Sequence, residues 1–164
     1  MPEQQEIKQQ ETEPPHLHDP HPLVEAACSY WFNDNDKVRT PFPTSIQKEL
    51  REVAAAEYAS WEDNLSDQDR KEVTDDEMAS VFESFLFGKA VALVKDDLDQ
   101  LLTIYYPFMP RVGDTVADKT GQRGPSRILS REVKEEKEKL FMRVSLETED
   151  DAKETWETEF EIPS

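Results

Sequence analysis

VFESFLFGKAVALV, residues 81–94, is the driest stretch of the chain. Ten of its fourteen residues are apolar, in a protein that is 36% hydrophobic and carries a formal net charge of −18. Upstream, Thr74-Asp-Asp-Glu77 has the spacing of a capping box, with Thr74 as N-cap and Glu77 reaching back to it. The acids of this first turn also suit the positive end of a helix dipole. Met78, Phe82, Phe85 and Leu86 carry helical spacing into the dry stretch, and Val94, Leu98, Leu101, Leu102 and Tyr105 continue it to Pro107. The run is either one long helix or two helices with a hinge at Lys95–Asp97. Asp96 and Asp97 are poor interior helix residues and favour the break, with Asp97 and Gln100 capping the second helix.

Working outward, LVEAACSYWF (23–32) is a short, mostly apolar run that stops at the turn-rich NDND of 33–36, and it predicts a first helix. Thr40-Pro-Phe-Pro43 forbids regular helix and hands over to Thr44 or Ser45 as N-cap. Ile46, Leu50, Val53, Ala54, Tyr58 and Trp61 then form one helix face, with Lys48, Glu49, Arg51 and Glu52 on the other. The polar connection NLSDQDRK (64–71) has room for a short helical turn. Residues 1–22 are rich in Gln, Glu and Pro, with too few apolar side chains to offset the entropy of ordering. They are expected to be a disordered tail.

After Pro107 and Pro110 the period changes from 3.6 to 2. Strands are expected at Arg111–Val116, Arg127–Val133, Leu140–Leu146 and Trp156–Ile162. They are separated by the glycine-bearing loop 117–125, the charged turn KEEKEK (134–139) and a second acidic turn. Pro-Arg-Val-Gly-Asp-Thr-Val (110–116), then Gly-Pro-Ser-Arg-Ile and three further strands, resembles the opening of an SH3-like or Tudor-like small barrel. The resemblance covers residues 111–164 and concerns the fold, which does not give function. An aromatic cage of the kind that reads methylated side chains is not recognisable, since Phe141 and Trp156 alone do not make one. The expected fold class is α+β: three or four helices over residues 23–107, then a small antiparallel SH3-like barrel or curled meander over 108–164.

A net charge of −18 and a pI near 4.5 disfavour phosphate-backbone and anionic-membrane binding, and favour basic protein surfaces as partners. Cys28 is the single cysteine, so no internal disulfide forms. The N-terminus lacks a signal-peptide pattern and the dry stretch is short for a membrane span. These features predict a cytoplasmic protein.

Candidate sites are few. His16, His18 and His21 form the one metal-like cluster, with no visible supporting shell. Asp96, Asp97 and Asp99 lack the spacing and glycine of an EF-hand. Lys119-Thr-Gly-Gln-Arg-Gly-Pro lacks the ending of a P-loop and joins strands. Residues 111–143 hold nine Lys/Arg against six Asp/Glu, and 144–164 hold one against eight. Lys119, Arg123, Arg127 and Arg131 are therefore candidates for a local basic patch. No HExxH, GxSxG, CxxC or dinucleotide fingerprint is present, and Cys28 sits on an apolar helix without a nearby histidine. No catalytic activity and no cofactor are expected.

The aromatic clusters carry the partner hypothesis. Three consecutive rings cannot share one helix stripe, so at least one of Tyr30, Trp31 and Phe32 faces outward. At least one exposed ring is also expected among Tyr105, Tyr106 and Phe108, which flank Pro107. With Phe141 and Trp156 on the strands, these rings predict an acidic, non-catalytic interaction or adaptor protein that docks a protein partner at the seam between helices and strands. Two other classes stay open. One is an acidic inhibitor, either a nucleic-acid mimic or an immunity-type protein, and the other is a nucleic-acid- or ligand-binding barrel working through the basic patch.

Overall fold

The structure, a computed structural model, describes residues 21–164. It is α+β, with five helices followed by a curled four-stranded antiparallel sheet. The helices are α1 (Pro22–Trp31), α2 (Thr44–Asp63), α3 (Asp67–Glu72), α4 (Asp75–Leu93) and α5 (Leu98–Tyr105). The strands are β1 (Thr115–Val116), β2 (Ser126–Glu136), β3 (Lys139–Thr148) and β4 (Thr155–Glu161). Sheet order is β1-β2-β3-β4, every neighbour antiparallel.

The dry stretch is the core of α4, whose Phe82, Leu86, Ala90 and capping Val94 are buried one turn apart. They meet Leu50, Ala54 and Tyr58 from α2, Val24 and Cys28 from α1, and Phe42. The capping box forms as expected: Glu77 N donates to Thr74 Oγ1 at 3.2 Å and Thr74 N donates to Glu77 Oε2 at 2.8 Å. The long run is two helices. Asp97 caps α5 by accepting from Gln100 N at 3.1 Å. The short helical turn for which the polar connection had room forms as α3, six residues capped by Ser66, and brings the helices to five. Helix α2 begins at Thr44 itself, with Pro43 as an N-cap that makes no side-chain bond.

Three expected boundaries move. His21 and Pro22 belong to the folded part, because His21 Nδ1 caps α1 by accepting from Leu23 N at 3.2 Å and Pro22 fills the first turn. His16, His18 and the rest of the expected tail lie outside the described residues. Arg111–Asp114 is a turn instead of strand: Asp114 N donates to Arg111 O at 3.0 Å, Arg111 N donates to the Asp114 carboxylate at 2.9 Å, and Gly113 takes φ 92°. Glycine adopts that angle without a Cβ clash. The charged turn is also shorter than its composition implied. Lys134–Glu136 pair with β3, and only Lys137 and Glu138 turn, both at positive φ as a tight two-residue hairpin requires.

The sheet has its own apolar cluster of Ile128, Met142, Val144, Leu146 and Ile162 with Met109, flanked by Tyr106, Val116, Val133, Trp156 and Phe160. Two cores therefore stand side by side, one helical and one on the sheet's inner face. Among the described residues no helix is long and apolar enough to cross a membrane.

Truncating the helical core at its centre should be expensive. Phe82→Ala is expected to lower unfolding free energy by about 3–5 kcal/mol, and Thr74→Ala by about 1 kcal/mol. Urea unfolding followed by circular dichroism measures both.

Candidate interaction site

Three arginines join the two cores. Arg131, on β2, has a side chain with 0% exposure. Its Nε donates to Asp99 Oδ1 at 2.7 Å, Nη1 to Pro110 O at 2.9 Å, and Nη2 to Asp99 O at 2.8 Å and to Thr103 Oγ1. Arg39, beyond α1, holds Asp114 with two bonds of 2.9 and 2.8 Å. Arg111 sits between them and donates to the carbonyls of Thr40 (2.7 Å), Arg39 (3.1 Å) and Pro107 (3.1 Å). Burial, and then the neighbouring Arg39 charge, pull its guanidinium below the ordinary value.

This seam orients α5. Asp99 and Thr103, four residues apart, turn toward Arg131. Leu98 and Tyr105, seven apart, share a different face and look outward, at 77% and 58% exposure. Phe108, three residues past the helix, is 75% exposed. With Pro107 it forms one wall of a shallow groove of about 240 Å³, whose other wall is the loop Asn35–Arg39. Asn35 Nδ2 donates to Tyr30 O at 3.3 Å, which places the exposed Tyr30 at the same loop. Asp34, Asp36, Asp96 and Asp97 are exposed on the loops at either end of this surface, and so are Lys37, Arg39 and Lys95.

The aromatic candidates thus divide. Tyr30, Tyr105 and Phe108 are exposed. Trp31 is half-buried, donating Nε1–H to Glu83 at 3.1 Å and stacking edge-on against Phe87. Tyr106 is half-buried against the sheet core. Phe141 and Trp156 point to opposite faces of the sheet. Phe141 lies opposite Glu161 and Lys134 on the outer face, whereas Trp156 lies opposite Leu146 on the inner face and donates to Ser126 Oγ at 2.8 Å. They form no common site. Leu98 was missed. Its apolar character fitted the helical repeat, and only the spacing to Tyr105 on a face opposite Asp99 marks it as outward.

The basic patch is corrected. Arg131 is consumed by the seam. Arg123 is half-buried, held by Asp118 at 3.7 Å and Glu154 at 3.5 Å with its guanidinium 5.0 Å from the Trp156 ring centre. Lys119 and Arg127 are exposed. The acidic trio also has structural partners: Asp97 caps α5 and Asp99 pairs with Arg131. His21 is engaged as a cap, with Nε2 3.4 Å from Glu62. Among the described residues no three His, Cys, Asp or Glu side chains converge to hold a metal ion. Burial pushes the Cys28 thiol up to about 11, so it is protonated at neutral pH. No known protein family, curated protein or solved structure matches the chain.

The seam has a pH signature. The Arg39 hydrogen bonds, then the Arg111 N–H bond, hold the Asp114 carboxyl below its ordinary value. A carboxyl depressed in the folded state adds stability that is complete above its unfolded pKa of about 3.9 and lost as pH falls through the folded value. Urea unfolding between pH 6 and 2.5 should therefore show wild type losing stability more steeply below pH ~4 than Asp114→Asn does.

Proposed function

We propose that this protein is a non-catalytic interaction protein that docks a basic protein partner on the outward face of α5 and the adjoining groove. The observation that carries the reading is the cluster of large apolar side chains left open beside the seam: Leu98, Tyr105 and Phe108. Large exposed rings with an apolar neighbour are the usual anchors of protein interfaces, because burying each removes much area from water. The chain's net charge of −18 favours a partner whose apolar contact is ringed by Lys and Arg.

In this arrangement the apolar anchors hold the partner and the charges steer it. Anchor loss therefore acts mainly on dissociation, and salt mainly on association. The test is affinity capture by the full chain at physiological salt with nuclease present, comparing wild type with Tyr105→Ser/Phe108→Ser. Support would be a basic partner held by wild type and weakened at least tenfold by the double substitution, with the far-ultraviolet spectrum unchanged. A partner held equally by both proteins, or none held at all, overturns the proposal. Sedimentation of the chain alone provides a second check. A dimer that the double substitution converts to monomer would assign this face to a second copy and overturn the heterologous reading.

A further inference from the structure

Strand β4 ends the sheet, and its register with β3 determines which of its backbone groups are taken. Thr148 N donates to Glu154 O at 2.9 Å and Ile162 N donates to Leu140 O at 2.8 Å. In an antiparallel ladder such bonded pairs recur every second residue, so Trp156, Thr158 and Phe160 also face β3. The N–H and C=O groups of Thr155, Glu157, Glu159 and Glu161 consequently point away from the sheet. Among the described residues no other backbone segment bonds to them. The side chains of Glu157, Glu159 and Glu161 stand in a row on the outer face. Trp156 and Phe160 sit half-buried on the inner face, at the rim of the sheet core.

We propose that the β4 edge is a docking site for an extended basic segment of a partner protein, which adds to the sheet as a fifth strand. Backbone pairing supplies the affinity in such strand addition, and alternate side chains supply the selectivity. The register specifies the segment. Residues opposite Glu157, Glu159 and Glu161 lie beside carboxylates, so Lys or Arg belongs at every second position. Residues between them extend the inner face beside Trp156 and Phe160, so they are apolar or β-branched.

Charge selects this occupant over the others. Two β4 edges paired antiparallel about Glu159 would set Glu157 against Glu161, and like charges directly opposite destabilise a pair. Residues 1–20 carry one lysine against five acids and match the edge no better. Glu159 lies opposite Arg143 and makes no direct ion pair among the described residues. Glu157 is held by Arg143 at 2.6 Å and Glu161 by Lys139 at 3.2 Å, yet both side chains remain more than half exposed. The edge shares no residue with the α5 surface, so each proposal stands or falls on its own test.

The experiment uses the ¹⁵N-labelled full chain and a synthetic eight-residue peptide alternating Lys with Val and Thr, at physiological salt. Amide exchange is read residue by residue. The peptide is expected to slow exchange at least tenfold at Glu157, Glu159 and Glu161 and to leave Trp156, Thr158 and Phe160, already bonded to β3, unchanged. Glu159→Pro removes one outward N–H at an edge position where proline is tolerated. It should abolish the protection while the far-ultraviolet spectrum is preserved, and Glu159→Gln should weaken binding and keep the alternating pattern. Three results would overturn the proposal: no response at millimolar peptide, shifted signals without slowed exchange, or undiminished binding to Glu159→Pro. In each of those cases the glutamates merely guard an exposed edge against self-pairing.

Discussion

A guanidinium with no exposed surface is the constraint on which the rest of the structure depends. Arg131 is removed from water, a step that costs several kcal/mol for an ion unless hydrogen bonds and countercharge replace its hydration. The replacement is nearly complete: one carboxylate, two backbone carbonyls and one hydroxyl take four of its five N–H groups. Because these bonds are directional, they fix the angle between helices and sheet, which an apolar contact between two separate cores would leave free to slide. Arg39 and Arg111, distant from Arg131 in sequence, add a bidentate carboxylate pair and a cage of carbonyls to the same seam. What α5 shows to solvent follows. Its Asp99–Thr103 face is committed to Arg131, so Leu98 and Tyr105 are carried outward.

The seam also bears on the electrostatics of the surface. Three arginines are spent inside or across it, and Arg123 is held by Asp118, Glu154 and the Trp156 ring. Except at Arg111, the acids paired with these cations are engaged along with them, so the excess of 37 Asp/Glu over 19 Lys/Arg persists on the rest of the chain. A field of that sign steers basic proteins and repels polyanions. Lys119 and Arg127, the exposed members of the predicted basic patch, are set against the dense acids of residues 144–164.

The elements that local chemistry dictates were legible in the sequence. Apolar spacing, the Thr74–Glu77 box and the Asp97 cap define α2, α4 and α5, and strict alternation defines β3 and β4. The α+β class followed from the change of period after Pro107. What failed was whatever depends on partners distant in sequence. Arg131 and Asp99 are 32 residues apart, and Arg39 and Asp114 are 75 apart. Nothing local distinguishes an arginine that will be buried by such a partner from one on a solvated face. Arg111–Asp114 reads as strand because Val112 and Thr115 suit one. Yet the Asp114 carboxylate, capturing the Arg111 N–H, closes a turn there first. His21 reads as tail from its proline-rich surroundings, although the same Pro22 is well placed at the first turn of α1.

Acidity and openness are linked in this molecule. Leu98 and Phe108 are three-quarters exposed, and the outward backbone groups of β4 have no partner within the described chain. Either feature alone invites self-association, apolar patches through water exclusion and open edges through strand pairing. Repulsion between copies of net charge −18 opposes both, and along β4 the row Glu157, Glu159 and Glu161 lies on the edge itself. The same repulsion reverses sign for a basic chain. One compositional bias therefore keeps identical copies apart and lowers the barrier for a partner of opposite charge. In a neutral protein of this shape, the exposed rings and the open edge of β4 would be liabilities.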